Sequence, residues 1–272
     1  MRYSYVTALT TDNYFPGLCS LSHSLKKANT QYPLSVIVPT NLSDKTKQLI
    51  SQRDIQLIEL DPVVIDDNLL QQNLEKNWNN TFFKLSVFNL TQYDKVVYLD
   101  LDMIIKRNID ELFEAPHMSC VAAGSCIHPD WTRLNSGIMV IEPNRKLFED
   151  MLMCSSDACK DRISNGLGFG DQDIINYYYP DWSNCEDLHL SEVYNSMSSC
   201  IEELSRLYGY DNLKVLHYID STKPWQHSTL GSWLYILKRV VKRQWHRIKG
   251  FEEYRNYLKE SCPDYKSFAN KK

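Results

Sequence analysis

The sequence predicts an α/β fold built around a parallel sheet. Short β-branched apolar runs alternate with amphipathic helical stretches through the first half, at spacings that fit βαβ units. One of those runs ends in two carboxylates, Asp100 and Asp102, where open α/β sheets gather their ligands, beyond the carboxyl ends of the strands. With 272 residues and 43% hydrophobic content, the chain can bury one substantial core.

Residues 3–9 read as the first strand. Pro16 then opens a helical stretch that runs to about Lys27, a placement proline tolerates because the first-turn N–H has no helical partner anyway. Residues 34–39 form a second strand, residues 43–50 a helix capped by Ser43, and residues 55–60 a third strand. A helix is expected over 81–90. The run Val96-Val97-Tyr98-Leu99 is the strand that delivers Asp100 and Asp102. Right-handed crossovers between such strands make them parallel. The second half is less regular. Residues 137–141 read as a strand, and 164–170 as a glycine-rich loop leading into Asp171-Gln172-Asp173 and a helix. That loop lacks the preceding strand and the spacing of a dinucleotide-binding turn.

Composition excludes several classes. No apolar stretch approaches the roughly 18 residues of a transmembrane helix, and the N-terminus lacks the basic and apolar regions of a secretory signal. Eight scattered cysteines without a Cys-x-x-Cys pair read as mostly reduced thiols, so a cytoplasmic location is expected. The net charge of −4 hides an asymmetry: residues 231–272 carry +7 and residues 1–230 carry −11. We therefore divide the chain into a body, 1–230, and a basic aromatic tail, 231–272. The acidic body makes nucleic acid an unsuitable partner.

Carboxylates one residue apart in an extended segment can share a hard divalent cation, which can clamp a diphosphate; a solvated strand end is the alternative. Asn135 and Ser136 offer donors and acceptors to a polyol, or simply make a turn before their strand. Asp171 and Gln172 either face a ligand from a helix start or cap that helix. His217 ends a short apolar run, Val215-Leu216-His217. As an imidazole beside two carboxylates it would suit Mn²⁺ better than an ion with oxygen ligands alone. Lys223, beside Pro224 and Trp225, is placed on a rigid turn that could meet a phosphate oxygen.

Taken in order, these segments resemble glycosyltransferase family 8, the glycogenin and galactinol-synthase-like group. The matching pieces run from Val6-Thr7-Ala8-Leu9-Thr10-Thr11 and Tyr14, through Phe83-Lys84-Leu85, Tyr98-Leu99-Asp100-Leu101-Asp102, Leu134-Asn135-Ser136-Gly137 and Gly170-Asp171-Gln172-Asp173, to Leu216-His217-Tyr218 and Lys223-Pro224-Trp225. The resemblance implies a GT-A fold with a mixed, Rossmann-like sheet, a UDP-sugar donor, Mn²⁺ (with Mg²⁺ the alternative) and transfer with retention. It places Asp100, Asp102 and His217 on the metal and the Leu101 backbone between them. Ala8, Thr10, Thr11 and Tyr14 would lie along the uridine, and Lys84 and Lys223 would meet the donor's phosphates and sugar. Asn135, Ser136, Asp171 and Gln172 would hold the hexose, the last two as the catalytic pair.

Two departures stand out. The family's further aspartate, three residues before the Asp-Gln pair, is Gly168 here, and a glycine after its histidine is Asp220. The first removes one expected sugar contact. The second adds a carboxylate expected near the diphosphate.

In the tail, Trp233, Leu237, Val240, Val241, Gln244 and Ile248 recur at helical spacing among lysines and arginines. Residues 233–249 therefore read as one amphipathic helix lying on an anionic membrane surface, or docked on the acidic body. The membrane reading implies a peripheral position on a cytoplasmic leaflet and a glycan or glycolipid acceptor, in cell-surface polysaccharide or lipopolysaccharide synthesis. The alternatives are a soluble transferase acting on a protein or polyol, and a non-catalytic UDP-sugar-binding protein.

Overall fold

The structure is a computed structural model that describes residues 1–124 and 130–268. In chain order, the elements begin with β1 (Tyr3–Ala8), α1 (Phe15–Lys27), β2 (Leu34–Pro39), α2 (Asp44–Ser51), β3 (Gln56–Leu60) and α3 (Asp67–Gln72). After a 3₁₀ segment, Lys76–Asn89, come β4 (Lys95–Leu99), β5 (Met103–Ile105), β6 (Cys120–Ala122), β7 (Leu134–Ile141), α4 (Arg145–Ser164) and α5 (Asp171–Tyr178). The chain continues with β8 (Ser196–Met197), α6 (Ile201–Tyr208), β9 (Val215–His217), α7 (Thr229–Val241) and α8 (Trp245–Ser261).

Six strands form a mixed sheet in the order β3-β2-β1-β4-β7-β6. β1 pairs in parallel with both β2 and β4, whereas β7 joins β4 antiparallel and β6 joins β7 antiparallel. The chain moves outward from β1 to β3, then returns to lay β4 on the other side of β1. Strand order therefore reverses between β1 and β4, the place where open α/β sheets bind their ligands beyond the carboxyl ends of the strands. Alternation along the strands supplies two cores. Tyr5, Val97, Leu99, Ile138 and Val140 face one side, and Val6, Val96, Tyr98, Met139 and Ile141 face the other.

Three of the structure's features depart from the sequence reading. The helix expected over 81–90 is the 3₁₀ segment Lys76–Asn89. Its β-branched Thr81 and Val87 and its aromatic Phe82, Phe83 and Phe88 disfavour α-helix. The Thr81 hydroxyl donates back to the Trp78 carbonyl at 2.8 Å, a local bond that holds the tighter turn. Second, the amphipathic helix expected over 233–249 is two helices, α7 and α8. Arg243 stands between them at φ 55°, with Gln244 N–H on the Arg239 carbonyl and Arg243 N–H on that of Val240. That is the double bond of a Schellman stop, made here without glycine. Third, although six cysteines are free thiols as expected, Cys200 is disulfide-bonded. Cys126 lies outside the described residues.

The two tail helices behave differently. α8 packs on the body, burying Phe251, Tyr254 and Leu258. α7 leaves Leu230, Trp233, Leu234, Leu237 and Val241 exposed. Among the described residues no helix is long and apolar enough to cross a membrane.

Candidate active site

β4 ends at Leu99, so the chain leaves the main sheet in a turn containing Asp100 and Asp102 and continues as β5 of a second sheet. Asp100 N–H still bonds the Gly137 carbonyl at 2.9 Å, which anchors the turn to β7. Leu101 points into the core, so the two carboxylates fall on one side. β5 then pairs antiparallel with β9, Met103 opposite His217, and the Tyr218 N–H closes on the Asp102 carbonyl at 2.9 Å. This second, three-stranded sheet brings in a histidine 115 positions downstream of Asp102.

The result is a three-ligand cluster. One atom from each of Asp100, Asp102 and His217 lies within 4.8 Å of the others. His217 Nε2 is 3.1 Å from Asp102 Oδ1 and 3.8 Å from Asp100 Oδ2. On its other side, Nδ1 lies 2.8 Å from Asn195 Oδ1. Gly137 is required beneath them: a Cβ there would lie 2.7 Å from His217 Cε1 and 2.8 Å from Asn135 Oδ1. Two carboxylates and one outward imidazole nitrogen, with the Asn195 amide fixing the ring, fit a divalent cation.

Two lysines brace the acids. Lys84 Nζ is 2.9 Å from Asp100 Oδ1 and 3.0 Å from Asp171 Oδ2, and Lys223 Nζ is 2.7 Å from Asp102 Oδ2. Burial draws the Lys84 ammonium down, but Asp100 and Asp171 more than offset it and hold its pKa above the ordinary value. The two acids diverge. Burial outweighs the attraction of Lys84 and raises Asp100. At Asp102 the burial penalty is overcome by His217 and Lys223, so its pKa is lowered.

Beside this charge cluster runs a polar chain. Asn195 Nδ2 donates to Asn135 Oδ1 at 2.8 Å, and Asn135 Nδ2 donates to Gln172 Oε1 at 3.1 Å. The Ser136 N–H also donates to Gln172 Oε1, at 3.1 Å, which fixes the amide's orientation. Gln172 Nε2 has no hydrogen-bond partner among the described residues. Ser136 Oγ donates to Asp171 Oδ2 at 2.7 Å and receives Lys84 Nζ at 3.2 Å. Asp171 N–H caps onto Thr81 Oγ1 at 3.1 Å.

The residues expected along the nucleotide follow from β1. Ala8 ends that strand, Thr10 and Thr11 continue from it, and Tyr14 meets Trp225 edge-on at 5.4 Å between ring centroids. Trp225 Nε1–H bonds the Asn13 carbonyl at 2.9 Å, joining the Lys223 turn to the same edge. Burial raises the Tyr14 hydroxyl's pKa, Lys223 opposes this, and Asp102 and Asp100 add to it, which places the ring in the field of the acid cluster.

Asp220 corrects one expectation. Its Oδ1 takes Arg247 Nη2 at 2.6 Å and its Oδ2 takes Ser198 Oγ at 2.9 Å. Both oxygens are thus spent on a brace between the His217 strand and α8. Asn195, Tyr98 and Thr81 were not anticipated. Tyr98 OH donates to Asp100 Oδ1 at 3.0 Å, and its place at alternate spacing before Asp100 was the only available signal.

Comparison with known proteins places this geometry. The model of "Glycosyl transferase family 8" matches residues 5–229. Inositol phosphorylceramide glucuronosyltransferase 1 of Arabidopsis thaliana is 31% identical over 268 residues, 91% of this chain and 46% of that protein. Glycogenin-1 of Caenorhabditis elegans is 30% identical over 235 residues, 84% of this chain and 52% of its own length. The chain thus spans about half the length of these two relatives. Among solved structures, galactosyltransferase LgtC in complex with donor and acceptor sugar analogues aligns with a TM-score of 0.63 at 17% identity, over 95% of this chain and 96% of that one. The mixed sheet with its strand-order reversal is the GT-A glycosyltransferase fold. With the family model spanning the body and the site residues falling inside it, the chain belongs to glycosyl transferase family 8.

Proposed function

We propose that this protein is a metal-dependent, retaining hexosyltransferase that moves a sugar from a UDP-sugar onto a glycan or glycolipid acceptor at a membrane surface, in cell-surface polysaccharide or lipopolysaccharide synthesis. The observation that carries this reading is the unbroken polar chain from His217 through Asn195 and Asn135 to Gln172. It joins a cation-holding cluster to a polyol-binding pair, an arrangement that phosphoryl transfer alone does not require.

A divalent cation, Mn²⁺ or alternatively Mg²⁺, held by Asp100, Asp102 and His217, would supply positive charge to the donor diphosphate. The protein's own groups do the rest. Ala8, Thr10, Thr11 and Tyr14 line the base and ribose. Lys84 and Lys223, already beside the acids, add charge as the leaving oxygen becomes negative. Asn135, Ser136 and Asp171 hold hexose hydroxyls, and the free Nε2 of Gln172 faces the sugar.

Transfer breaks the bond between the anomeric carbon and the phosphate oxygen and forms one to the acceptor oxygen on the same face. The acceptor proton passes to the departing phosphate. Asp171 Oδ2 is held by Ser136 and Lys84, which suits an orienting role better than attack on the sugar.

The exposed stripe of α7, flanked by Lys238, Arg239, Lys242 and Arg243, supports the membrane part. The test is UDP release from a panel of UDP-sugars with and without Mn²⁺, followed by NMR of the product's anomeric configuration. Cation-dependent release and a retained configuration are expected. Inversion, or release indifferent to chelation, would overturn the mechanism.

A further inference from the structure

We propose that Arg247, on the tail helix α8, is a positioning residue for the donor diphosphate: through Asp220 it sets the loop that holds Lys223 against Asp102. This deepens the transferase reading and rests on it.

The loop begins and ends on one residue. At its start the Tyr218 N–H bonds the Asp102 carbonyl at 2.9 Å. At its end Lys223 Nζ donates to Asp102 Oδ2 at 2.7 Å and back to the Tyr218 carbonyl at 3.1 Å. Residues 218–223 thus close a ring on Asp102. Ile219, Ser221 and Thr222 are exposed, so solvent rather than packing surrounds the middle of that ring. Asp220 ties it down. Its Oδ2 takes Ser198 Oγ at 2.9 Å, and the Ser198 N–H bonds the His217 carbonyl at 2.7 Å, which refers Asp220 back to β9. Its Oδ1 takes Arg247 Nη2 at 2.6 Å. Beyond the loop, Trp225 Nε1–H on the Asn13 carbonyl holds the far side of Lys223. Asp220 holds the near side.

Arg247 is itself immobilised. It is 7% exposed, its Nε donates to Tyr235 OH at 3.1 Å, and its backbone N–H donates to Glu202 Oε1 at 3.0 Å. A guanidinium is a rigid planar fork, so fixing Nε also fixes the direction of Nη2. Gly250 and Tyr254 share that face of α8 and seat the helix on the loop's first residue. A Cβ at Gly250 would lie 3.0 Å from Tyr218 OH, and the Tyr254 ring meets Tyr218 edge-on at 4.8 Å between centroids. The basic tail therefore reaches the acid cluster through one buried cation. A lysine ammonium rides on a flexible four-carbon stem, so where its backbone stands decides what it can meet. Charge that must already be in place as the leaving oxygen becomes negative needs such a fixed base.

The experiment uses the full chain and its Arg247→Met, Asp220→Ala and Lys223→Ala variants, with Asp220→Ala and Lys223→Ala also combined. Calorimetry measures UDP affinity in saturating Mn²⁺, well below the melting temperature of each. Methionine keeps the arginine's apolar stem, and Asp220→Ala, on a half-exposed loop, breaks the same contact should the buried change prevent folding. UDP affinity should fall about 10-fold in Arg247→Met and in Asp220→Ala, the loss of one charge-assisted hydrogen bond. The double variant should bind UDP as Lys223→Ala does, to within about 2-fold, because the two changes act on one contact. Wild-type affinity in either Arg247→Met or Asp220→Ala overturns the proposal, even with a lowered melting temperature, since a purely structural brace would move only the latter. So do additive losses in the double variant, which would place the influence of Asp220 somewhere other than Lys223. Wild-type protein that bound no UDP at all would fell the transferase reading itself, a result distinct from either.

Discussion

Asn195 fixes the proton of His217. An amide oxygen only accepts, so the 2.8 Å contact between Asn195 Oδ1 and His217 Nδ1 places the imidazole proton on Nδ1. Nε2 then faces Asp102 and Asp100, at 3.1 and 3.8 Å. With the ring so oriented, Nε2 and the two carboxylates converge on one point where a divalent cation could be held. The orientation of Asn195 is set in turn by Asn135, so Asn135 and the Asp100–Asp102–His217 cluster share one hydrogen-bonded chain.

Asn195→Ala should therefore weaken Mn²⁺ binding by about 10- to 100-fold, the usual cost of losing a second-shell partner of a metal-binding histidine. Direct Mn²⁺ titration reads this without reference to turnover. Affinity equal to wild type would show that the ring is held by packing alone. His217→Ala and Asp102→Ala should each remove most transfer activity with the fold retained by circular dichroism.

Lys84 is the cation that holds two of the site's acids together. It is buried between Asp100 and Asp171, and replacing it with alanine leaves two carboxylates without their partner. Losing one member of a buried ion network costs about 3–5 kcal/mol. Denaturant unfolding of Lys84→Ala should show that loss, and added Mn²⁺ should recover part of it by neutralising Asp100. A midpoint matching wild type would mean that water reaches these acids.

His117 gives the fold a measurable acid sensitivity. Its Nδ1 accepts the Glu142 N–H at 3.0 Å, so Nε2 donates to Tyr179 OH, also at 3.0 Å. Protonating Nδ1 would break the first bond. Burial lowers this histidine's pKa below 6.5, Glu142 opposes the shift and Lys95 adds to it. A histidine lowered on folding contributes stability that is complete above the unfolded pKa and is lost as pH falls below it. The melting temperature of wild type should drop between pH 7 and 5 more steeply than that of His117→Gln. Parallel curves would assign the acid sensitivity to other groups.

The sheet and the acid pair were readable because they rest on local signals. Strand periodicity marked β1 to β4, and Asp100 and Asp102 follow directly from the last of these. Asn195 was not readable, because only the parallel pairing of β8 with β9 brings it to His217, and a two-residue strand has no periodicity. Asp220 misled for a similar reason. Position relative to His217 pointed it at the diphosphate, whereas Arg247, 27 positions on, claims it. The break between α7 and α8 was hidden because arginine, not glycine, occupies the left-handed position that stops α7.

That break separates an exposed helix from a packed one, and it shapes how membrane association must be tested. α8 is part of the body's structure: Arg247 bonds Asp220, Tyr235 and, through its backbone, Glu202. Truncating the chain after Leu230 would remove Arg247 and release Asp220, so lost binding could reflect a damaged His217 loop. Point changes on α7 avoid this. Trp233 is 69% exposed, Leu237 59% and Val241 76%, all on one stripe. Burying such side chains is worth about 1.5–3 kcal/mol each, and each flanking Lys or Arg adds about 1 kcal/mol at an anionic surface. Trp233→Glu with Leu237→Glu should reduce sedimentation with phosphatidylglycerol-containing vesicles by at least about 10-fold. UDP-sugar hydrolysis in solution should be unchanged, because neither residue touches the site. Wild type and the double variant binding vesicles equally would assign the stripe to a protein partner instead of a lipid surface.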